Sequence, residues 1–96
     1  MQRIIIVYNP NSSRFYDLKK EVLDKTNSLK GYLVGKYEIK KTNLDANVNS
    51  LAKILKDGDL LVSAGGDATG VISSNAILQS QKNITLAVLP YGNFND

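Results

Sequence analysis

The run Arg3-Ile4-Ile5-Ile6-Val7-Tyr8 is apolar after its first residue and shows no alternation. A strand with one wet face alternates, so an unbroken run of this length reads as a strand buried on both faces. That constrains the fold more than any other feature of the chain, because a strand of this kind belongs inside a parallel sheet covered by helices. Asn9-Pro10-Asn11-Ser12-Ser13 ends the run with turn-forming residues. The run is too short for the core of a signal peptide or for a membrane span, so the expectation is a soluble, cytoplasmic chain.

The rest of the sequence alternates in the same way. Ser12 or Ser13 is placed to cap a helix with Phe15, Leu18, Val22 and Leu29 near one face, and Gly31 is its natural stop. Residues 32–41, with Leu33, Tyr37 and Ile39, read as a half-buried second strand. Asp45 or Asn47 then caps a second helix, with Val48, Leu51, Ala52 and Leu55 on one face and Gly58 at its end. Residues 59–63 are a third strand and residues 67–79 a third helix. That helix is weakly marked, since Gly70, Ser73 and Ser74 are poor helix formers and Ile72, Ala76 and Ile77 give a narrow apolar face. Residues 84–89 form a fourth strand, closed by Pro90-Tyr91-Gly92-Asn93. The pattern β-α-β-α-β-α-β predicts an α/β fold: a three-layer, open, Rossmann-like parallel sheet with strand order 2-1-3-4, in one domain over residues 1–96.

Composition removes whole classes of chemistry. There is no cysteine and no histidine, so thiolate zinc sites, Ser-His-Asp triads and histidine acid–base catalysis are excluded within these residues. Residues 1–56 carry eleven Lys/Arg against five Asp/Glu, whereas residues 57–96 carry Lys82 against Asp57, Asp59, Asp67 and Asp96. A basic half suits nucleotide or anionic lipid headgroups. Its lysines are spread out without interleaved aromatics, so no nucleic-acid partner is expected.

The polar clusters fall after the first, third and fourth strands, and in an open α/β sheet ligands bind at those carboxyl ends. The key stretch is Ala64-Gly65-Gly66-Asp67-Ala68-Thr69-Gly70. Glycines let a backbone approach a ligand closely and tolerate φ > 0, and a helix start behind them presents N–H groups to a phosphate. A carboxylate beside a phosphate calls for a cation, and Mg²⁺ takes carboxylate and phosphate oxygens together. With strand order 2-1-3-4, the loop of Asn9, Pro10, Asn11, Ser12 and Ser13 faces this stretch. Asp96 is a second carboxylate for the same metal, and Thr42, after the second strand, is placed for an adenine or ribose. Each loop also has an ordinary reading as a capped turn, and so does Asp67 as a helix cap.

Taken in series, Y-N-P-N-S-S, A-G-G-D-A-T and L-P-Y-G-N-F-N-D resemble the N-P-x-S-G, G-G-D-G-T and L-P-x-G-T-x-N-D motifs of the diacylglycerol kinase catalytic-domain family. K-T-N-L-D-A-N resembles that family's T-x(n)-A segment. The resemblance implies an ATP-dependent, Mg²⁺-dependent kinase acting on a lipid hydroxyl such as that of diacylglycerol. It also implies a second, β-rich domain that carries the lipid pocket, contact with a membrane surface, and no activity for residues 1–96 alone. By position it implies that Asn9, Pro10, Asn11, Ser12, Ser13, Thr42, Gly65, Gly66, Asp67, Ala68, Thr69, Gly70, Val71 and Asn93 line the nucleotide, with Asp67 and Asp96 near the metal. The chain departs from the family pattern at Ala68, where a glycine stands, at Gly70-Val71-Ile72, where the pattern reads L-N-E, and at Asn93, where a threonine stands. If residue 68 needed φ > 0, its methyl group would cost roughly 1 kcal/mol or more. Two other readings stay open here: an NAD kinase relative, which shares a G-G-D-G-T loop, and a degenerate, non-catalytic nucleotide-binding or interaction domain.

Overall fold

The structure is a computed structural model that describes residues 2–9, 32–40 and 43–89. In chain order these residues form β1 (Gln2–Tyr8), β2 (Tyr32–Glu38), α1 (Leu44–Ile54), β3 (Leu60–Ala64), α2 (Asp67–Ser80) and β4 (Thr85–Leu89). The strands make one open parallel sheet, as the alternation predicts, in the expected order β2-β1-β3-β4. The helix expected before β2 lies outside the described residues.

The central strand behaves as its composition requires. Ile4, Ile5, Ile6, Val7 and Tyr8 are all buried. Ile5 and Val7 face both helices, packing with Val48, Leu51, Ala52 and Leu55 of α1 and its end, Leu61 of β3, and Ile72 and Ala76 of α2. Ile4, Ile6 and Tyr8 point the other way and cluster with Ala64, against Leu60, Val62 and Leu89. The apolar spacing read from α1 is therefore its core face: Leu51 and Leu55 have no exposed surface.

Several element ends differ from the sequence expectation, each for a local reason. Asn43, rather than Asp45 or Asn47, caps α1, because its Oδ1 accepts the N–H of Ala46 at 2.7 Å. Asp45 sits in the first turn, where a negative charge suits the helix dipole. The helix ends at Ile54, before Gly58. There the Asp59 carboxylate accepts the Lys56 N–H at 2.8 Å, and the Asp59 N–H donates to the Lys56 carbonyl at 3.0 Å, closing a turn that leads into β3. Gly58 serves that turn with φ +88°. Strand β3 runs one residue later than expected because Asp59 is used in this junction: its Oδ1 meets Arg3 Nε at 3.1 Å. Arg3 also donates to the carbonyl of Ile54 at 3.1 Å, and Lys82 to that of Leu55 at 2.7 Å, so two cations satisfy the C-terminal carbonyls of α1. This polar junction lies at the amino ends of β1 and β3 and leaves their carboxyl ends for the site.

Candidate functional site

Register sets the site. Tyr8 pairs with Ala64, the last residues of the two central strands, so Asn9 and Gly65 leave the sheet side by side. The loop after β3 is short: Gly65 and Gly66 alone separate Ala64 from α2. The Gly65 N–H donates to the Leu89 carbonyl at 3.2 Å, which ties the loop to the end of β4. The first helical bond runs from the Gly70 N–H to the Gly66 carbonyl at 3.1 Å. Asp67, Ala68 and Thr69 thus begin the helix with N–H groups that have no intrahelical acceptor. Gly66 caps the helix without a side-chain bond. Such a start, at the positive end of a 14-residue helix, suits an anion.

The glycines work differently from the simplest expectation. Among the described glycines only Gly58 has positive φ, and Gly66 has φ −94°. Gly65 is instead a close-packing site. A Cβ there would lie 2.6 Å from Thr69 Oγ1, 3.0 Å from its Cβ and 3.4 Å from its Cγ2. Thr69 is itself 3% exposed, so its side chain supports the loop from beneath and is not open to a ligand. Its carbonyl accepts the buried Ser73 hydroxyl at 2.8 Å. A Cβ at Gly70 would meet nothing within 4 Å.

Ala68 is the second residue of α2 and exposed. The one non-glycine with positive φ among the described residues is Gln81, so Ala68 carries none of the backbone strain that its place in the motif raised. Asp67 opens the helix with its side chain exposed; the cap is Gly66, not Asp67. Val71 is 45% exposed, on the outer side of α2.

Of the residues that the sequence singles out, the structure brings together Asn9, Gly65, Gly66, Asp67, Ala68, Thr69, Gly70 and Val71 at the carboxyl ends of β1 and β3. Pro10, Asn11, Ser12, Ser13, Thr42, Asn93 and Asp96 lie outside the described residues. No group of three or more metal-ligating side chains occurs among the described residues, so Asp67 is a single candidate ligand there.

Two polar features at the same end escape motif reading. The Tyr8 hydroxyl donates to Glu38 Oε1 at 2.6 Å. Burial, then that hydrogen bond and the nearby negative charge, push the Tyr8 pKa up to about 12. Asn47, read as a cap, is instead 3% exposed and bonds back to the end of β2.

The model of the diacylglycerol kinase catalytic domain matches residues 3–96. The chain belongs to that family. A diacylglycerol kinase of Staphylococcus carnosus is 33% identical over 97 residues, covering 99% of this chain and 31% of the relative. One of Staphylococcus saprophyticus is 30% identical over 97 residues, with the same coverage of each. The chain thus spans about a third of the length of these relatives. Among the described residues, Asn9 and Gly65 of its family motifs follow the neighbouring ends of β1 and β3. None of the helices among the described residues is long and apolar enough to cross a membrane.

Proposed function

We propose that the chain is the nucleotide-binding part of an ATP-dependent lipid kinase whose acceptor is a lipid hydroxyl, diacylglycerol being the leading candidate. The observation that carries this reading is the pairing of Tyr8 with Ala64 at the centre of the sheet, which puts Asn9 beside Gly65 directly before the start of α2. A triphosphate laid across those strand ends meets the N–H groups of Asp67, Ala68 and Thr69 and the positive end of the helix. Phosphoryl transfer depends mainly on positioning and charge neutralisation, and such a cradle supplies both without histidine or cysteine.

The donor set fits a hard cation beside the phosphates: Asp67 offers an exposed carboxylate at the helix start, and Mg²⁺ favours one or two carboxylates plus phosphate oxygens. When bound there, Mg²⁺ would offset charge on the phosphate oxygens. Asp67, with Asp96, would hold it, and Thr69 would keep the loop in shape from below. On this reading Pro10, Asn11, Ser12, Ser13, Thr42 and Asn93 complete the nucleotide contacts, and further parts of a longer protein bind the lipid at a membrane surface from the cytoplasmic side. Residues 1–96 alone would bind nucleotide without turnover.

The test is calorimetric titration of the chain with Mg-ATP and Mg-ADP, followed by assay of the longer protein on diacylglycerol and on NAD. Saturable binding and phosphorylation of the lipid support the reading. Absence of binding at millimolar nucleotide, or transfer to NAD alone, refutes it.

A further inference from the structure

The chain holds one Asp-Gly pair, Asp57-Gly58, and no Asn-Gly pair. Asp-Gly is the aspartyl pair most prone to react with its own backbone, because glycine has no Cβ to shield the nitrogen that follows the aspartate. Both residues are exposed, in the turn between α1 and β3, with Gly58 at φ +88°.

The structure sets a specific lock on this pair. The Gly58 N–H donates to the Asn83 carbonyl at 2.8 Å. The Asn83 N–H donates to Asp57 Oδ1 at 2.8 Å. The backbone of one residue thus holds both reacting groups. The Asn83 carbonyl oxygen stands along the Gly58 N–H direction, where the Asp57 carboxyl carbon would have to arrive. Asn83 lies just before β4, whose pairing begins with the Thr85 N–H on the Asp59 carbonyl at 3.0 Å. Strand β4 is at the edge of the described sheet, so the lock lasts only while the start of β4 stays docked.

We propose that Asp57-Gly58 is a site of spontaneous isoaspartate formation, held closed by the backbone of Asn83. In the reaction the Gly58 nitrogen gives its proton to solvent and attacks Asp57 Cγ. A C–N bond forms and a Cγ–O bond breaks. The departing oxygen leaves as water, its protons drawn from solvent, and a five-membered imide remains. Water then adds to either imide carbonyl, that carbon's bond to the nitrogen breaks, and a carboxylate forms. Opening at Cγ restores aspartate. Opening at the main-chain carbonyl gives isoaspartate, in which the chain runs through Cβ and Cγ. One water leaves and one enters, so nothing is oxidised or reduced. The product lengthens the turn and displaces the carboxylate that Asn83 holds, so each event removes its own lock. The proposal is independent of the nucleotide reading, since the pair lies at the opposite end of the sheet.

The test ages the chain at neutral pH, folded and in urea, and maps its peptides by chromatography with mass spectrometry, which separates isoaspartate from aspartate at equal mass. Hydrogen exchange at the Gly58 N–H measures opening of the lock independently. Two hydrogen bonds should slow the folded chain about tenfold to a hundredfold relative to the unfolded one. Protection against exchange and against isomerisation should agree within about threefold. Asn83→Pro removes the N–H that holds Asp57, and should speed isomerisation of the folded chain about fivefold, near the contribution of one hydrogen bond. Circular dichroism establishes that the variant folds. If it does not, low urea on the wild type takes its place, and isomerisation and Gly58 exchange should rise together. Isomerisation as fast in the folded chain as in urea, or none at Asp57 in urea, overturns the proposal. So does a folded Asn83→Pro variant no faster than wild type, or isomerisation that does not follow Gly58 exchange.

Discussion

Gly65→Ala probes the close approach on which the candidate site is built. The new methyl carbon would lie 2.6 Å from Thr69 Oγ1, with Thr69 Cβ at 3.0 Å and Cγ2 at 3.4 Å. All three obstructing atoms belong to one side chain. Thr69 is 3% exposed and β-branched, so it has few alternative rotamers and no free space to turn into. The backbone must move instead, and overpacking of this kind costs about 1–3 kcal/mol. In a domain of this size each kcal/mol lowers Tm by roughly 4–8 °C. The assay is urea or thermal unfolding of wild type, Gly65→Ala, Thr69→Ala and the double variant. Thr69→Ala removes the contacts at 2.6 and 3.4 Å and leaves the one at 3.0 Å. The double variant should therefore be more stable than the two single losses add up to, by about 1 kcal/mol or more. Gly65→Ala within about 0.5 kcal/mol of wild type, or simple additivity, would refute the packing role assigned to this glycine.

Further expectations concern the elements around the site. The fold favours the neutral phenol of Tyr8, whose pKa rises from 10.0 to about 12; its contribution is whole below pH 10 and fades as pH rises from 10 toward 12. At pH 11 wild type should have lost about 1.4 kcal/mol more, relative to pH 9, than Tyr8→Phe, and equal losses in urea unfolding would count against the Tyr8–Glu38 pairing. Ala68→Gly should lower stability by about 0.5–1 kcal/mol in thermal unfolding, because residue 68 is helical, and a gain in stability would mean that it is strained. Arg3→Ala leaves Asp59, whose side chain is 2% exposed, without its cation. The expected loss in urea unfolding is about 1–3 kcal/mol, less than for a fully buried pair because the Arg3 side chain is 27% exposed, and a neutral result would show the junction to be dispensable.

What could be read from the sequence depended on whether a residue's role is local. The run of residues 4–8 announces two-sided burial through composition alone, and the β/α alternation then points to a parallel sheet; the order β2-β1-β3-β4 does not follow from the alternation itself. Helix α1 was legible because Val48, Leu51, Ala52 and Leu55 repeat at helical spacing against a polar background. Helix α2 was only faintly marked, since its buried face is Thr69, Ile72, Ser73 and Ala76. Two of those four side chains are polar and one is a single methyl group, so hydropathy does not register the face. Asp45 and Asn47 read as caps of α1 in the sequence, but Asn43, a third residue of capping type, holds that position. Contacts with Tyr37 and Lys40 from another element decided that Asn47 faces inward. Gly65 was correctly marked as special, but its reason is Thr69 beneath it and not a left-handed backbone. Gly58 reads as a helix stop in the sequence because a glycine after an apolar periodic run is ambiguous between a cap and a turn, and here it serves the turn.

The most direct test of the central claim is an amide ¹H–¹⁵N titration of the chain with Mg-ATP. Saturable shifts are expected at Asn9, Gly65, Gly66, Asp67, Ala68, Thr69 and Gly70, with Gln2, Gly58 and Lys82 at the opposite end of the sheet unmoved. No shifts at millimolar Mg-ATP, or shifts centred on that opposite end, would contradict it.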